Sequence, residues 1–385
     1  MGTACSEVQA PNVVDCSGTT DCLQEAKVAL QKQNTEECAK ARPALSEDYP
    51  ADDAGKEAPA SGPSLPDAVV SGSPSYFDRE VAELHAMNMY MQSVPSAIGP
   101  RPPYAFKSGA VYTGQWQGCM RHGFGVQRWP DSTVYKGEWK DNQAEGKGYF
   151  VHADGDTYIG EWKANVAHGL GVYCHKDHTS YEGQWCRDLQ EGYGVEKWIE
   201  GSRFEGMFIG GQKEGWGRYH WPDGAQYIGT WSGNSINGLG AYLGSDGRCF
   251  KGRWHDSVIH GLGRYRWADG REYNGSYMFD KKEGFGIFTW PDGRRYEGFW
   301  CRGKQHGHGL YTMKDGVMRS AYWKDGKRSS KGGPSHDESA GKEIALHTTA
   351  AAHRSKRLAF DLVQEASKES FKTVASFEET GDGVS

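Results

Sequence analysis

The stretch that decides the fold is Tyr112-Thr113-Gly114-Gln115-Trp116, followed by Gly123-Phe124-Gly125 and then by Pro130-Asp131-Ser132. The first signature recurs at Tyr135, Tyr158, Tyr181, Phe204, Tyr227, Phe250, Tyr273 and Tyr296, always 23 residues apart. The Gly-x-Gly pair keeps the same period from Gly123/Gly125 to Gly307/Gly309, and a degraded tenth copy, Arg319-Ser320-Ala321-Tyr322-Trp323, holds the register. Two landmarks in phase over nine units define a repeat array.

Each unit reads as a β-hairpin. Tyr112, Gly114 and Trp116 stand two apart, which on a strand puts them on one face and leaves Thr113 and Gln115 on the other. A second strand carries aromatics at the slot of Gln127, as in Phe150, Tyr173, Tyr219, Tyr242, Tyr265, Phe288 and Tyr311, and often two residues later, as in Trp129, Trp198, Trp221, Trp267 and Trp290. Asp154-Gly155, Asp223-Gly224, Asp269-Gly270 and Asp292-Gly293 supply turn chemistry. Glycine weakens a strand, so its recurrence at Gly114 and its equivalents implies that aromatic rings need room against the backbone. All fourteen tryptophans lie between Trp116 and Trp323, so the ring-bearing face holds the units together. One hairpin alone is marginal in water, and each unit must lean on its neighbours. The expected fold is mainly β: an elongated, single-layer antiparallel sheet of nine to ten hairpins, spanning roughly 90 Å at about 4.8 Å per strand.

The pattern Tyr-x-Gly-x-Trp, then His/Glu/Asn-Gly-x-Gly, then Asp-Gly resembles the MORN (membrane occupation and recognition nexus) repeat family. The resemblance implies meandering antiparallel sheets, often paired into rods, that serve in membrane-associated scaffolds, membrane junctions and ciliary structures, or as appendages of kinases and methyltransferases. Phe208 and Tyr277 depart from it by replacing the signature tryptophan, and the tenth copy lacks its glycine.

Around the array, residues 1–74 form an acidic spacer rich in Ala, Ser, Pro, Glu and Asp, expected to be disordered and to tether the array flexibly. A short helix is expected within 75–99, over Asp78 to Gln92 after the cap-like Ser75, with Val81, Leu84, Met87, Met89 and Met91 as its apolar residues. Lying over the first hairpin, it would cover an exposed edge. The array occupies 100–328, opened by a half-unit from Tyr104 to Ala110, then a linker at 329–339, a helix at 340–374 and a tail at 375–385. Three roles stand open for that helix: folding back on the array's end or its aromatic groove, binding a partner or a second copy, or touching a membrane through Arg354, Lys356 and Arg357.

Met1-Gly2-Thr3-Ala4-Cys5-Ser6 fits the signature for N-myristoylation of Gly2. A single myristoyl chain holds only weakly, and Cys5 offers a palmitoylation site as the second anchor. No secretory signal and no apolar run of about 18 residues are seen in the sequence. Nine cysteines without a Cys-x-x-Cys pair fit a reducing compartment.

Charge narrows the partners. Residues 101–328 carry 31 basic and 26 acidic side chains, whereas residues 1–100 carry 6 and 15. A surplus of +5 spread along such a length gives no nucleic-acid footprint and no more than weak attraction to anionic phospholipid. His122, His168, His260 and His306 share a slot that elsewhere holds Glu145, Glu191, Glu214, Asn237 or Glu283, so they serve a turn rather than catalysis. Cys174-His175-x-x-His178, with Cys186 nearby, has zinc-ligand types, but residues 174 and 175 face opposite sides of a strand. No Gly-x-Gly opens a helix, so none reads as a phosphate loop.

The sequence therefore points to a non-enzymatic scaffold without cofactor or metal, docking other proteins on the cytoplasmic face of a membrane and able to pair as a homodimer. Alternative readings are a ciliary or cytoskeletal component resembling radial-spoke-head proteins, and a phospholipid-binding regulator. The expected interaction face is the row Tyr112, Trp116, Tyr135, Trp139, Tyr158, Trp162, Tyr181, Trp185, Tyr227, Trp231, Trp254, Tyr296 and Trp300.

Overall fold

In the computed structural model the described residues are 75–90 and 97–329, with helical residues 344, 346–350 and 357. Gly2, Cys5, the whole of the 1–74 spacer, Met91, Arg354 and Lys356 lie outside them. Among the described residues, 22 strands form one antiparallel sheet, and from Val111–Gln117 onward each strand pairs with the next in sequence.

The unit is built the same way each time. In the second, strand Val134–Lys140 runs into a two-residue turn and returns as Gln143–Val151. Asp141 and Asn142 both have positive φ, 50° and 73°. That is the turn whose twist matches the strands it joins. The returning strand then bulges, its register jumping between Gly137 and Trp139.

The two glycines of each pair have different tasks. Gly146 sits in the bulge at φ 81°, where a side chain would strain the backbone. Gly148 has ordinary dihedrals, but a Cβ there would lie 2.5 Å from Tyr135 Oη and 2.6 Å from its ring. Gly137, the equivalent of Gly114, would likewise put a Cβ 2.6 Å from Tyr135 Oη and 2.6 Å from the Gly148 Cα, so the room the repeated glycine implied is room for the tyrosine and for the facing glycine backbone. The next turn closes through the His152 amide, which donates to the Asp156 carbonyl at 2.8 Å, while Asp154 Oδ1 accepts from the Asp156 amide at 3.1 Å.

The rings join the units into a ladder. Tyr135 meets Trp139 of its own unit at 5.0 Å and 87° and Trp162 of the next at 5.3 Å and 82°. Tyr158 repeats this with Trp162 and Trp185, Tyr181 with Trp185 and Phe208, and Phe204 with Phe208 and Trp231. The alternation continues to Tyr296, which meets Trp300 at 5.4 Å and Trp323 at 5.0 Å. Phe208 and Tyr277 keep the edge-to-face geometry in place of tryptophan. The tenth copy keeps its strand, Met318–Lys324, and Trp323 is buried although Ala321 replaces the glycine.

At the N-terminal end the expected helix starts later than Asp78 and lies elsewhere. Ser75 caps a single turn, Tyr76–Asp78, through its hydroxyl and the Phe77 amide, and the α-helix proper is Val81–Tyr90. This strap lies on the ring face of units 1 to 3, with Phe77 and Leu84 buried. The open edge is closed instead by Gly99–Pro100 and Tyr104–Ala105, both paired to Val111–Gln117. The division has a physical cause: an edge needs backbone donors and acceptors, which a strand supplies and a helix cannot, whereas apolar Phe77 and Leu84 seek rings. Val81 and Met89, counted with the apolar residues, are exposed.

At the other end the helical residues after 343 fold back on the sheet, on the face away from the rings. Ile344 is 2% exposed and packs with Phe285 and Ile287, with Phe299 and Leu310 around them. His347 stacks on Phe285 at 5.3 Å, and Thr348 Oγ1 donates to Glu297 at 2.6 Å.

Tyrosine packing and open space give opposite expectations for two strand glycines. Gly148→Ala is expected to lower stability by about 1–3 kcal/mol, because the buried Tyr135 ring has nowhere to move. Gly99→Ala, whose Cβ meets nothing within 4 Å, should leave the melting temperature unchanged. Thermal unfolding followed by circular dichroism compares the two.

Candidate interaction surfaces

The expected interaction face is not a surface. Tyr112, Trp116, Tyr135, Trp139, Tyr158, Trp162, Tyr181, Trp185, Tyr227, Trp231, Trp254, Tyr296 and Trp300 are each 8% exposed or less. Each ring is covered by its neighbours along the ladder, so none of these side chains presents itself to a partner. The tyrosine hydroxyls are spent internally too: Tyr112 donates to the Gln115 carbonyl at 2.8 Å, Tyr135 to Glu138 at 2.9 Å and Tyr181 to Gln184 at 2.9 Å. Burial pushes these phenols well above their usual range, so they stay neutral donors.

The variable slot before Gly-x-Gly proves to be a tie between units. Glu145 accepts from the Ala164 amide at 2.9 Å, Glu191 from Gly210 at 2.9 Å and Glu283 from Arg302 at 2.8 Å, each 19 residues on. His122 and His306 take the same amide through Nδ1 at 3.4 and 3.5 Å. Asn237 ties the units differently, donating Nδ2 to the Asp256 carboxylate at 3.3 Å, and His260 Nδ1 makes no such bond.

A second tie runs backwards from the hairpin tip. The side chain of Asn142 accepts from the Arg121 amide at 2.7 Å, Asn165 from Ala144 at 2.8 Å, Asp188 from Ala167 at 2.7 Å and Asp280 from Ile259 at 2.7 Å. In the aspartates this bond competes with burial. Burial pushes the Asp280 carboxyl up to about 6 against the opposing pull of the Ile259 amide.

What remains for partners is the opposite face. There Phe124, Tyr149, Ile159 and Leu170 are 50%, 38%, 51% and 53% exposed, at positions where other units carry Lys147, Glu182 or Arg264. Tyr149 lies directly across from Ile159, and Ile159 across from Val172, so the apolar side chains of units 2 and 3 are contiguous. The same face in units 8 and 9 carries Phe285, Ile287, Phe299 and Leu310 and is covered by the chain's own helical segment. The alternation had assigned this face to polar residues on the evidence of Thr113 and Gln115. The signal against it was Ile159 on the leading strand, where most units carry a polar residue, and on the returning strand the slots of 124 and 149, which are apolar in most units.

The Cys174/His175/His178 group does not assemble. His175 pairs with Asp177 at 2.8 Å and lies 3.7 Å from Asp156, which also accepts from Tyr173 Oη. Among the described residues no three His, Cys, Asp or Glu side chains are placed to hold a metal ion.

Comparison with known proteins agrees with this architecture. The MORN repeat family profile matches nine consecutive segments: residues 112–134, 135–157, 158–180, 181–203, 204–226, 227–247, 250–270, 273–294 and 296–318. Among curated proteins nothing matches the chain. Among solved structures, the TCP10 domain of CPAP from Danio rerio, in complex with a STIL peptide, is 12% identical, with 59% of this chain and 96% of that chain covered and a TM-score of 0.33. The TCP domain of SAS-4 from Drosophila melanogaster, in complex with a proline-rich motif of Ana2, is 12% identical, with 53% and 97% covered and a TM-score of 0.24. At such values these likenesses carry no inference about function.

The raised Asp280 carboxyl fixes a pH dependence. Because protonation is easier in the folded chain than in the unfolded one, the folded state is favoured below about pH 4. That advantage is lost as pH rises through about 6. Asp280→Asn, which keeps the acceptor already used at Asn142, Asn165 and Asn234, is expected to raise the melting temperature by about 2–4 °C at pH 7.5. At pH 4 it should give no gain. Melting curves at the two pH values test the sign.

Proposed function

Because the chain belongs to the MORN-repeat family, we propose that this repeat scaffold is tethered to the cytoplasmic face of a membrane and docks partner proteins along its length. The tether is Gly2, myristoylated, with Cys5 palmitoylated as the second anchor. The Met-Gly-x-x-x-Ser signature carries this reading, together with the acidic segment that separates it from the array. Two acyl chains hold where one does not, and the acidic surplus in residues 1–100 disfavours a basic patch as the alternative.

The docking half of the reading rests on the array's build. An unbroken ladder makes the sheet a rod that need not rearrange to present a surface, and the exposed Phe124, Tyr149, Ile159 and Leu170 give a partner apolar area to cover. Its role is non-enzymatic. A soluble ciliary or cytoskeletal component would share this rod and lack the anchor.

The anchor is tested by metabolic labelling with a clickable myristate. Wild type is expected to take label and partition with membranes. Gly2→Ala should lose both, and Cys5→Ser should keep the label but wash off membranes at least several-fold more readily. Unlabelled wild type that fractionates like Gly2→Ala would abandon the anchor in favour of the cytoskeletal reading. Flotation of the Gly2→Ala chain on anionic vesicles would instead assign membrane binding to the repeats.

A further inference from the structure

The strap over units 1 to 3 is held by a few side chains of distinct chemistry. Phe77 sits edge-to-face against Tyr135 at 5.2 Å, Trp139 at 5.8 Å and Trp162 at 5.6 Å. Three residues on, Glu80 is 1% exposed and accepts from Ser108 Oγ at 2.8 Å, Gln127 Nε2 at 3.0 Å and Trp129 Nε1 at 3.4 Å. Gln127 in turn accepts from the guanidinium of Arg121, which is fully buried. Leu84, a further four residues on, is 2% exposed.

The array is cut to receive these groups at this place. The second residue after each hairpin tip is Arg121, Ala144, Ala167, Gln190, Lys213, Ile236, Ile259, Lys282 or Gln305, so a bare methyl group occurs only in units 2 and 3. Register places Ala144 opposite Trp139 and Ala167 opposite Trp162, two of the rings that Phe77 touches. Elsewhere the slot is filled by a larger side chain of the array itself. In unit 1 the slot holds Arg121, whose buried cation would be uncompensated without a carboxylate in the position of Glu80. The pocket therefore asks for a ring and an anion together.

The strap is also separable. It contributes no strand, and the sheet's first edge is closed by Gly99–Pro100 and Tyr104–Ala105 without it. Its other ties are exposed or partly so: the half-buried Tyr76 ring on Trp129 at 5.4 Å and Phe150 at 5.8 Å, Glu83 to Tyr104 Oη and the Lys107 amide, each at 2.8 Å, and Arg79 to Asp131 at 3.5 Å. It joins the array to the segment that carries Gly2.

We infer that units 1 to 3 form a docking site for a partner peptide with an aromatic ring, a carboxylate three residues later and leucine four beyond that, and that residues 75–87 occupy this site in cis as a displaceable competitor. The inference rests on the docking role proposed above and specifies the chemistry of one partner. It does not depend on the acyl anchor, whose labelling test is read separately.

The test uses the full chain and a fluorescein-labelled peptide of residues 74–90. A protease site replacing residues 91–96 allows the strap to be cut free after folding, and Phe77→Ala/Glu80→Ala weakens it without a cut. In polarisation, intact wild type is expected to bind the peptide at least tenfold more weakly than either released form. Ala144→Ile, which fills the slot as Ile236 and Ile259 do, should abolish binding to the released form, as should the peptide with Phe77→Ala or Glu80→Gln. Circular dichroism and the array's melting transition identify the folded samples. Failure of the peptide to bind a released and folded chain would overturn the inference. Binding that survives Ala144→Ile, or equal binding to intact and released chains, would overturn it too.

Discussion

Edge-to-face contact between a tyrosine or phenylalanine and the tryptophan of the next unit is the interaction on which the whole molecule depends. Each such pair is worth only about 0.5–1.5 kcal/mol beyond the area it buries. Its force here comes from repetition, since every ring of the ladder, which runs from Trp116 to Trp323, belongs to two of its pairs or ends the row. A sheet one layer thick has no second layer to form a core. The ladder supplies one by turning rings of each unit against the next, and the glycines opposite the tyrosines are what lets the rings lie flat enough to do it.

The hydrogen bonds follow the same nearest-neighbour logic. Tip residues reach back 21 positions to the previous unit, and the slot before Gly-x-Gly reaches forward 19, so each hairpin is clasped on both sides. The stability of such an array is close to a sum of unit and interface terms, and its ends are its weak points. The chain covers each end differently: the strap on the ring face at the first units, and the segment around Ile344 on the opposite face at the last.

Much of this was legible in the sequence. Period, hairpin, turn chemistry and the need for room around tyrosine all follow from residue types at fixed spacing. Two matters were not. Alternation shows that Tyr135 and Trp139 share a face, but it does not say whether that face meets water, a partner or other rings, and the side-by-side stacking that buries them is a property of the assembled sheet. Likewise the apolar residues of the strap announce a covered surface without saying which. Phe77 goes to the rings because Ala144 and Ala167 leave a hollow there, a relation between positions nearly 70 and 90 residues apart. Phe299 on the other face could have been noticed, since nearly every other unit carries a polar residue in its slot, and it lies beside Phe285, Ile287 and Leu310, whose slots are apolar in most units.

The unvarying 23-residue period has a geometric corollary. Since the rings, the clasps and the bulges all count from one unit to the next, an insertion of any other length inside a strand would break the pairing there and one in a turn would be looped out, whereas gain or loss of a whole unit leaves both junctions intact. The separation between the segment that leads to Gly2 and the distal helix can therefore be altered only in increments of two strands, or about 10 Å. Evolution has been handed a graduated spacer, whose reach is set by copy number alone.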